Sequence, residues 1–105
     1  MANYKTVGAK SGTTLTSIYT NSGTTPAYIM LARVTNNLAA TSIVTVKFYD
    51  SSAGVAYNIV LNLNVPVGAS IRIFEDRLVL EPGDSIQVSS TAANACDVVL
   101  SVMEG

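Results

Sequence analysis

Four carboxylates fall close together, Glu75 and Asp76 followed by Glu81 and Asp84. Paired carboxylates can divide acid and base work in glycoside hydrolysis, and clustered oxygen ligands can hold calcium. Here they surround two turns, and nothing in the pattern fixes their separation. They read better as solvated turn residues, with Asp84 bonding its own backbone in an Asx-turn. The chain has no histidine, so no Ser-His-Asp or Cys-His nucleophile system can be assembled. The usual zinc sites lose their commonest ligand for the same reason. A single cysteine, Cys96, excludes an internal disulfide. It opens an alternating segment on the face of Val98 and Leu100, which predicts a buried, inert thiol; a reactive thiol is the alternative. No catalytic, cofactor-binding or metal residue is assigned, and the chain is not expected to be an enzyme.

Those residues need elements to hold them, and the elements are strands. Residues 77–90, RLVLEPGDSIQVSS, show the grammar most plainly. An apolar segment meets Pro82-Gly83-Asp84, where proline presets one dihedral and glycine accepts a positive φ. A strict alternation follows, with Ile86 and Val88 on one face and Ser85, Gln87 and Ser89 on the other. In 42–49, Val44, Val46 and Phe48 share a face; in 97–103, Val98, Leu100 and Val102 do. In 58–65, Ile59, Leu61, Leu63 and Val65 are expected to point one way, as are Ala69, Ile71 and Ile73 in 69–75. Weaker strands are expected at 4–9, 13–20 and 27–35. Turn chemistry separates them at 21–23, 36–37, 50–54, 66–68 and 82–84. TAANA at 91–95 allows no more than one helical turn. Roughly eight short strands with turns about every ten residues predict an all-β, single small antiparallel β-sandwich, jelly-roll or Ig-like, over residues 1–105.

Composition narrows the role. Hydrophobic residues make up 49% of the chain and charged residues 12%, about half the usual charged share. Such a chain buries a core and has apolar surface left over for partners. The net charge of -1 and the lack of a basic tract argue against nucleic acid. No apolar run approaches the length of a membrane-spanning helix, and residues 1–10 lack the apolar centre of a secretory signal. The expectation is a soluble protein made in the cytosol. Residues 1–26 alternate poorly, so residues 1–10 are expected to be an interacting N-terminal arm lying across an adjacent subunit.

The aromatic residues include no tryptophan, the usual anchor of a glycan platform. Tyr49 and Tyr57 flank the 50–54 turn and are candidates for a cross-strand pair. Phe74 falls on the otherwise polar face of 69–75, where it would serve a partner interface or a second buried layer.

The run VPVGASIRIFEDRLVLEPGDSIQVSSTAANACDVVLSVME, residues 65–104, resembles a family of small tailed-bacteriophage virion proteins. The shared pattern is a Pro/Gly turn, an apolar strand, a short charged turn, LVLEPGD, an alternating strand, the small-residue AAN step and a closing strand. LxPGDxI also occurs in cupins, whose metal site requires the histidines that this chain lacks. The resemblance implies a β-sandwich that coats a particle as a capsid decoration (cement) protein, or one at the neck or tail. Its partners would be the major capsid protein or other virion proteins and further copies of itself, with a trimer as the family-based expectation. It would reside in the virion after synthesis in the host cytoplasm, without nucleic acid, membrane or cofactor. The runner-up is a ligand- or glycan-binding module at a fibre or baseplate.

Overall fold

The computed structural model describes residues 3–37, 39–73, 77–92 and 95–104. Among these residues there is no helix, and nine strands form: β1 (Asn3–Lys10), β2 (Thr16–Thr20), β3 (Ala27–Asn36), β4 (Ser42–Asp50), β5 (Val55–Val65), β6 (Ser70–Arg72), β7 (Leu78–Leu80), β8 (Ser85–Ser90) and β9 (Cys96–Glu104). The expected all-β sandwich is the fold. One antiparallel sheet runs β1–β9–β3, with β6 and β7 both on the far side of β3; the other runs β2–β8–β4–β5. β6 pairs with Arg33–Thr35 and β7 with Ala27–Ile29, so they act as one interrupted strand.

With β6 and β7 taken together, the partners nest: β4 with β5, β3 with β6 and β7, β2 with β8, β1 with β9. The chain is one long hairpin rolled into two layers. Of the two sandwich types expected, this winding is the jelly roll.

In β4, β8 and β9 the inward positions are those that alternation selects, whereas in β3 a register shift between Ile29 and Leu31 moves the inward set from Ala27 and Ile29 to Ala32 and Val34. Ile29, Val34, Val98, Leu100 and Val102 from the first sheet meet Val44, Val46, Ile86 and Val88 from the second, all fully buried. Each such side chain contributes about 1.5–3 kcal/mol relative to exposure.

β5 departs from the expectation. Val44 pairs with Leu63 and Val46 with Val60, so Leu61 and Asn62 share the place opposite Thr45; a second shift leaves Ile59 extra. Asn62 adopts a φ of 52°, a left-handed conformation that Asn tolerates, and its N–H donates to Thr45 Oγ1 at 3.2 Å. The bulges reverse the parity of the strand. Ile59, Val60 and Leu63 pack against the core, whereas Leu61, expected inward, is 61% exposed.

The N-terminal segment expected as an arm is, from Asn3 onward, the outer strand β1, paired with β9 over its whole length. Its side chains are mostly exposed, which explains its weak alternation. An edge strand with little to bury has no reason to alternate apolar and polar residues.

Two buried asparagines tie the loops down. Asn21 Nδ2 donates to the carbonyls of Thr25 and Leu80; Asn36 Nδ2 donates to those of Ala40 and Val65. Gly83 has a φ of +92°, and a Cβ there would lie 2.6 Å from Ser51 Oγ. Both the turn and the close approach therefore require glycine.

Candidate functional site

Neighbouring strands place outward side chains in rows, and on the β1–β9–β3 sheet one of these rows is apolar. Tyr4 pairs with Met103, Met103 with Tyr28, and Tyr28 with Val79, so four large side chains from four strands lie side by side. Tyr4 is 70% exposed and Val79 48%. In the next row, Ser101 lies between Thr6 and Leu31. Then come Gly8, Val99, Arg33 and Arg72, and last Lys10, Asp97, Thr35 and Ser70. A shallow hollow lies here along β1 and β9, lined by Gly8, Ala9 and Lys10 and by Asp97, Val98 and Val99. The face thus grades from an apolar end to a cationic middle.

The opposite face, over β2–β8–β4–β5, is built differently. Ser17, Gln87, Lys47 and Asn58 form one row, and Thr20, Ser85, Tyr49 and Ala56 another. Ser89 pairs with Thr45. Ile43 and Leu61 are the exposed aliphatic residues that break this hydroxyl and amide surface.

Charged groups are concentrated where β1 meets β9. Lys10 Nζ donates to Asp97 Oδ1 at 2.7 Å, and that bond holds the Asp97 carboxyl below its ordinary range, helped by Asn37. Lys5 Nζ lies 3.2 Å from Glu104 Oε1 and 5.6 Å from the centre of the Tyr19 ring. Tyr19 Oη donates to Glu104 Oε2. Burial, then this bond to a carboxylate, pushes the Tyr19 phenol up, while the bond from Tyr19 holds Glu104 down. This clasp joins β1, β2 and β9. Beside it lies a polar cleft of about 310 Å³, walled by Asn3 and Lys5 on one side and the 21–25 loop on the other.

Of the four carboxylates singled out for chemistry, the structure describes Glu81 and Asp84. Asp84 is buried, not solvated. Its Oδ2 accepts from the Glu81 N–H at 3.1 Å, three residues back instead of two residues on as the expected Asx-turn would have it, and its Oδ1 accepts from Ser51 N–H and Oγ. Asp84 therefore knots the β7–β8 turn to the β4–β5 turn. Glu81 is exposed; Glu75 and Asp76 lie outside the described residues, as does Phe74. Among the described residues no group of acids, cysteine and histidine could hold a metal ion. Cys96 is fully buried on the face of Val98 and Leu100, as expected. Tyr49 does not pair with Tyr57: the register sets Tyr49 against Ala56 and stacks Phe48 on Tyr57, with centroids 6.4 Å apart. Of residues 91–95, Ala93 and Asn94 lie outside the described residues.

No family model and no curated protein matches the chain. Solved structures do. A chain from the Bacillus endospore appendages, described as a family of disulfide-linked pili, superposes with a TM-score of 0.60 at 16% identity, over 98% of this chain and 85% of that one. A chain from infectious bursal disease virus, Gx strain, superposes with a TM-score of 0.56 at 8% identity, over 98% of this chain and 32% of that one. At these identities the likeness is one of fold. The sandwich found here is thus also found in a pilus and in a virus.

Proposed function

We propose that this chain is a virion structural protein of a tailed bacteriophage, a capsid decoration (cement) protein that works by adhesion and not by catalysis. The observation that carries the reading is the apolar row Tyr4–Met103–Tyr28–Val79, which spans the width of one sheet. A contiguous apolar surface on a small domain is commonly a contact surface, and the cationic middle beside it would select an acidic partner. The fold it shares with chains from a pilus and a virus supports a role in an assembly. The lone Cys96 is buried, so disulfide linkage of the kind named for the appendages is not part of the proposal.

The mechanism is burial shared between shell subunits. A copy that binds across two major capsid proteins stabilises only the assembled shell, so it raises the free energy of disassembly by linkage. Repetition around symmetry axes lets modest contacts act together. The test is co-sedimentation with purified particles: this reading expects a fixed, symmetry-related copy number and greater resistance of the shell to heat. Binding that never saturates, or no binding, refutes it.

A second reading rests on the polar cleft between β1 and the 21–25 loop, whose hydroxyl and amide groups suit a glycan. Binding of the isolated domain to a glycan array, without binding to particles, would favour that reading.

A further inference from the structure

We infer that the free edge of β1 is a docking site for a second copy of this chain, whose own β1 adds antiparallel about a two-fold axis and joins the two sheets into one. This goes beyond the coat role, because it holds whatever surface the copies attach to.

A sheet edge is a row of unpaired backbone groups, and proteins usually blunt it. Three of the four edges here are blunted. β2 is five residues long and its register with β8 shifts between Ser17 and Tyr19. β5 carries two register shifts. β6 and β7 are three residues each. β1 alone runs for eight residues in unbroken register. It has no proline, and its two lysines are already turned to carboxylates of its own β9, Lys5 to Glu104 and Lys10 to Asp97.

The direction of its backbone groups follows from one bond. Ser11, next after β1, donates its N–H to the Cys96 carbonyl at 2.9 Å. Residues facing the partner alternate in an antiparallel ladder, so Asn3, Lys5, Val7 and Ala9 face β9. Tyr4, Thr6, Gly8 and Lys10 hold their N–H and C=O groups toward the open edge.

One two-fold register uses all of them. With the axis at Val7, Tyr4 stands opposite Lys10 of the second copy and Thr6 opposite its Gly8, each pair exchanging two hydrogen bonds. Between them, Val7 meets Val7 and Lys5 meets Ala9. No lysine faces a lysine. The most exposed large apolar side chain of the described residues, Tyr4, comes to lie beside the aliphatic stem of the second copy's Lys10, whose ammonium stays on Asp97. Registers centred on Lys5 or Lys10 would set like charges together. The resulting contact is isologous and closed, as a stable dimer requires.

Gly8→Pro tests the proposal selectively. Its N–H points away from β9, and a Cβ there meets nothing within 4 Å, so proline removes an edge donor without touching the sheet's own ladder. Sedimentation of the full chain should show a concentration-dependent monomer–dimer equilibrium, with the dissociation constant raised at least tenfold in Gly8→Pro at an unchanged circular dichroism spectrum. Mild oxidation should link Val7→Cys into a covalent dimer and leave Ala9→Cys unlinked, since only position 7 faces itself; the buried Cys96 does not compete. A wild-type chain that is monomeric at every concentration overturns the proposal, as does a Gly8→Pro chain that dimerises like wild type. If Gly8→Pro does not fold, the two cysteine chains decide: linking at position 9 as readily as at position 7 overturns it.

Discussion

The two sheets are alike inside and unlike outside. Inward, both present Val, Ile and Leu at alternate positions, because the same core must be filled from both sides. Outward, the β1–β9–β3 sheet carries an unbroken row of Tyr, Met, Tyr and Val, while on the β2–β8–β4–β5 sheet Ser, Thr, Gln and Asn separate Tyr49, Ile43 and Leu61. Folding does not demand this difference, since outward side chains on either sheet contribute little to stability. The apolar face is suited to a partner and the polar face to water.

That contrast can be sharpened from the largest expected effect downward. The inner faces should be equivalent: Leu100→Ala in one sheet and Ile86→Ala in the other should each cost about 3 kcal/mol in urea unfolding. A large asymmetry would mean that one sheet dominates the core. Asp84→Ala should cost about 2 kcal/mol, because the N–H groups of Ser51 and Glu81 lose their buried acceptor; a neutral result would show that the knot is dispensable. Cys96→Ala should cost about 1 kcal/mol and leave assembly intact. Loss of assembly with folding unchanged would give the thiol a role of its own.

The smallest effect is in the clasp, and it depends on pH. Tyr19 has its pKa raised in the fold, so the stability it contributes is present below the unfolded value near 10 and is lost as pH rises past it. Glu104 is depressed, so its contribution is present above the ordinary carboxylate value and is lost as pH falls through the lower folded one. Melting temperatures of wild type and Tyr19→Phe should differ at neutral pH, and the gap should narrow progressively as pH rises above about 10. A gap unchanged between neutral pH and about pH 11 would contradict the assignment.

Much of the fold is legible in the chain because its inner strands have a neighbour on each side and one dry face. In β4, β8 and β9, period-2 alternation is enforced by burial, and Val44, Ile86 and Leu100 fall where it places them. Strands with other constraints are harder to read. β1 is an edge with little to bury. In β5 the bulges at Ile59 and at Leu61–Asn62 shift the parity, and alternation gives no sign of where an extra residue enters. The pairing of Phe48 with Tyr57 depends on the same register. Asp84 is placed correctly in its turn, but its tie to Ser51, far away in sequence, has no local signal. The apolar row was illegible for that reason too: its members sit at 4, 28, 79 and 103, and only the jelly-roll winding brings them together.

On the proposed function, the outer face of the β1–β9–β3 sheet would adhere to the particle and the opposite face would not. The most direct test is the binding isotherm of the chain on purified phage particles lacking it, for wild type, Val79→Lys and Ser89→Lys. The two substitutions place the same charge at outward positions of the two sheets. Val79→Lys is expected to weaken binding by at least tenfold and Ser89→Lys to leave it within about twofold, with both chains folded. Equal loss in both, or loss in Ser89→Lys alone, would contradict the account.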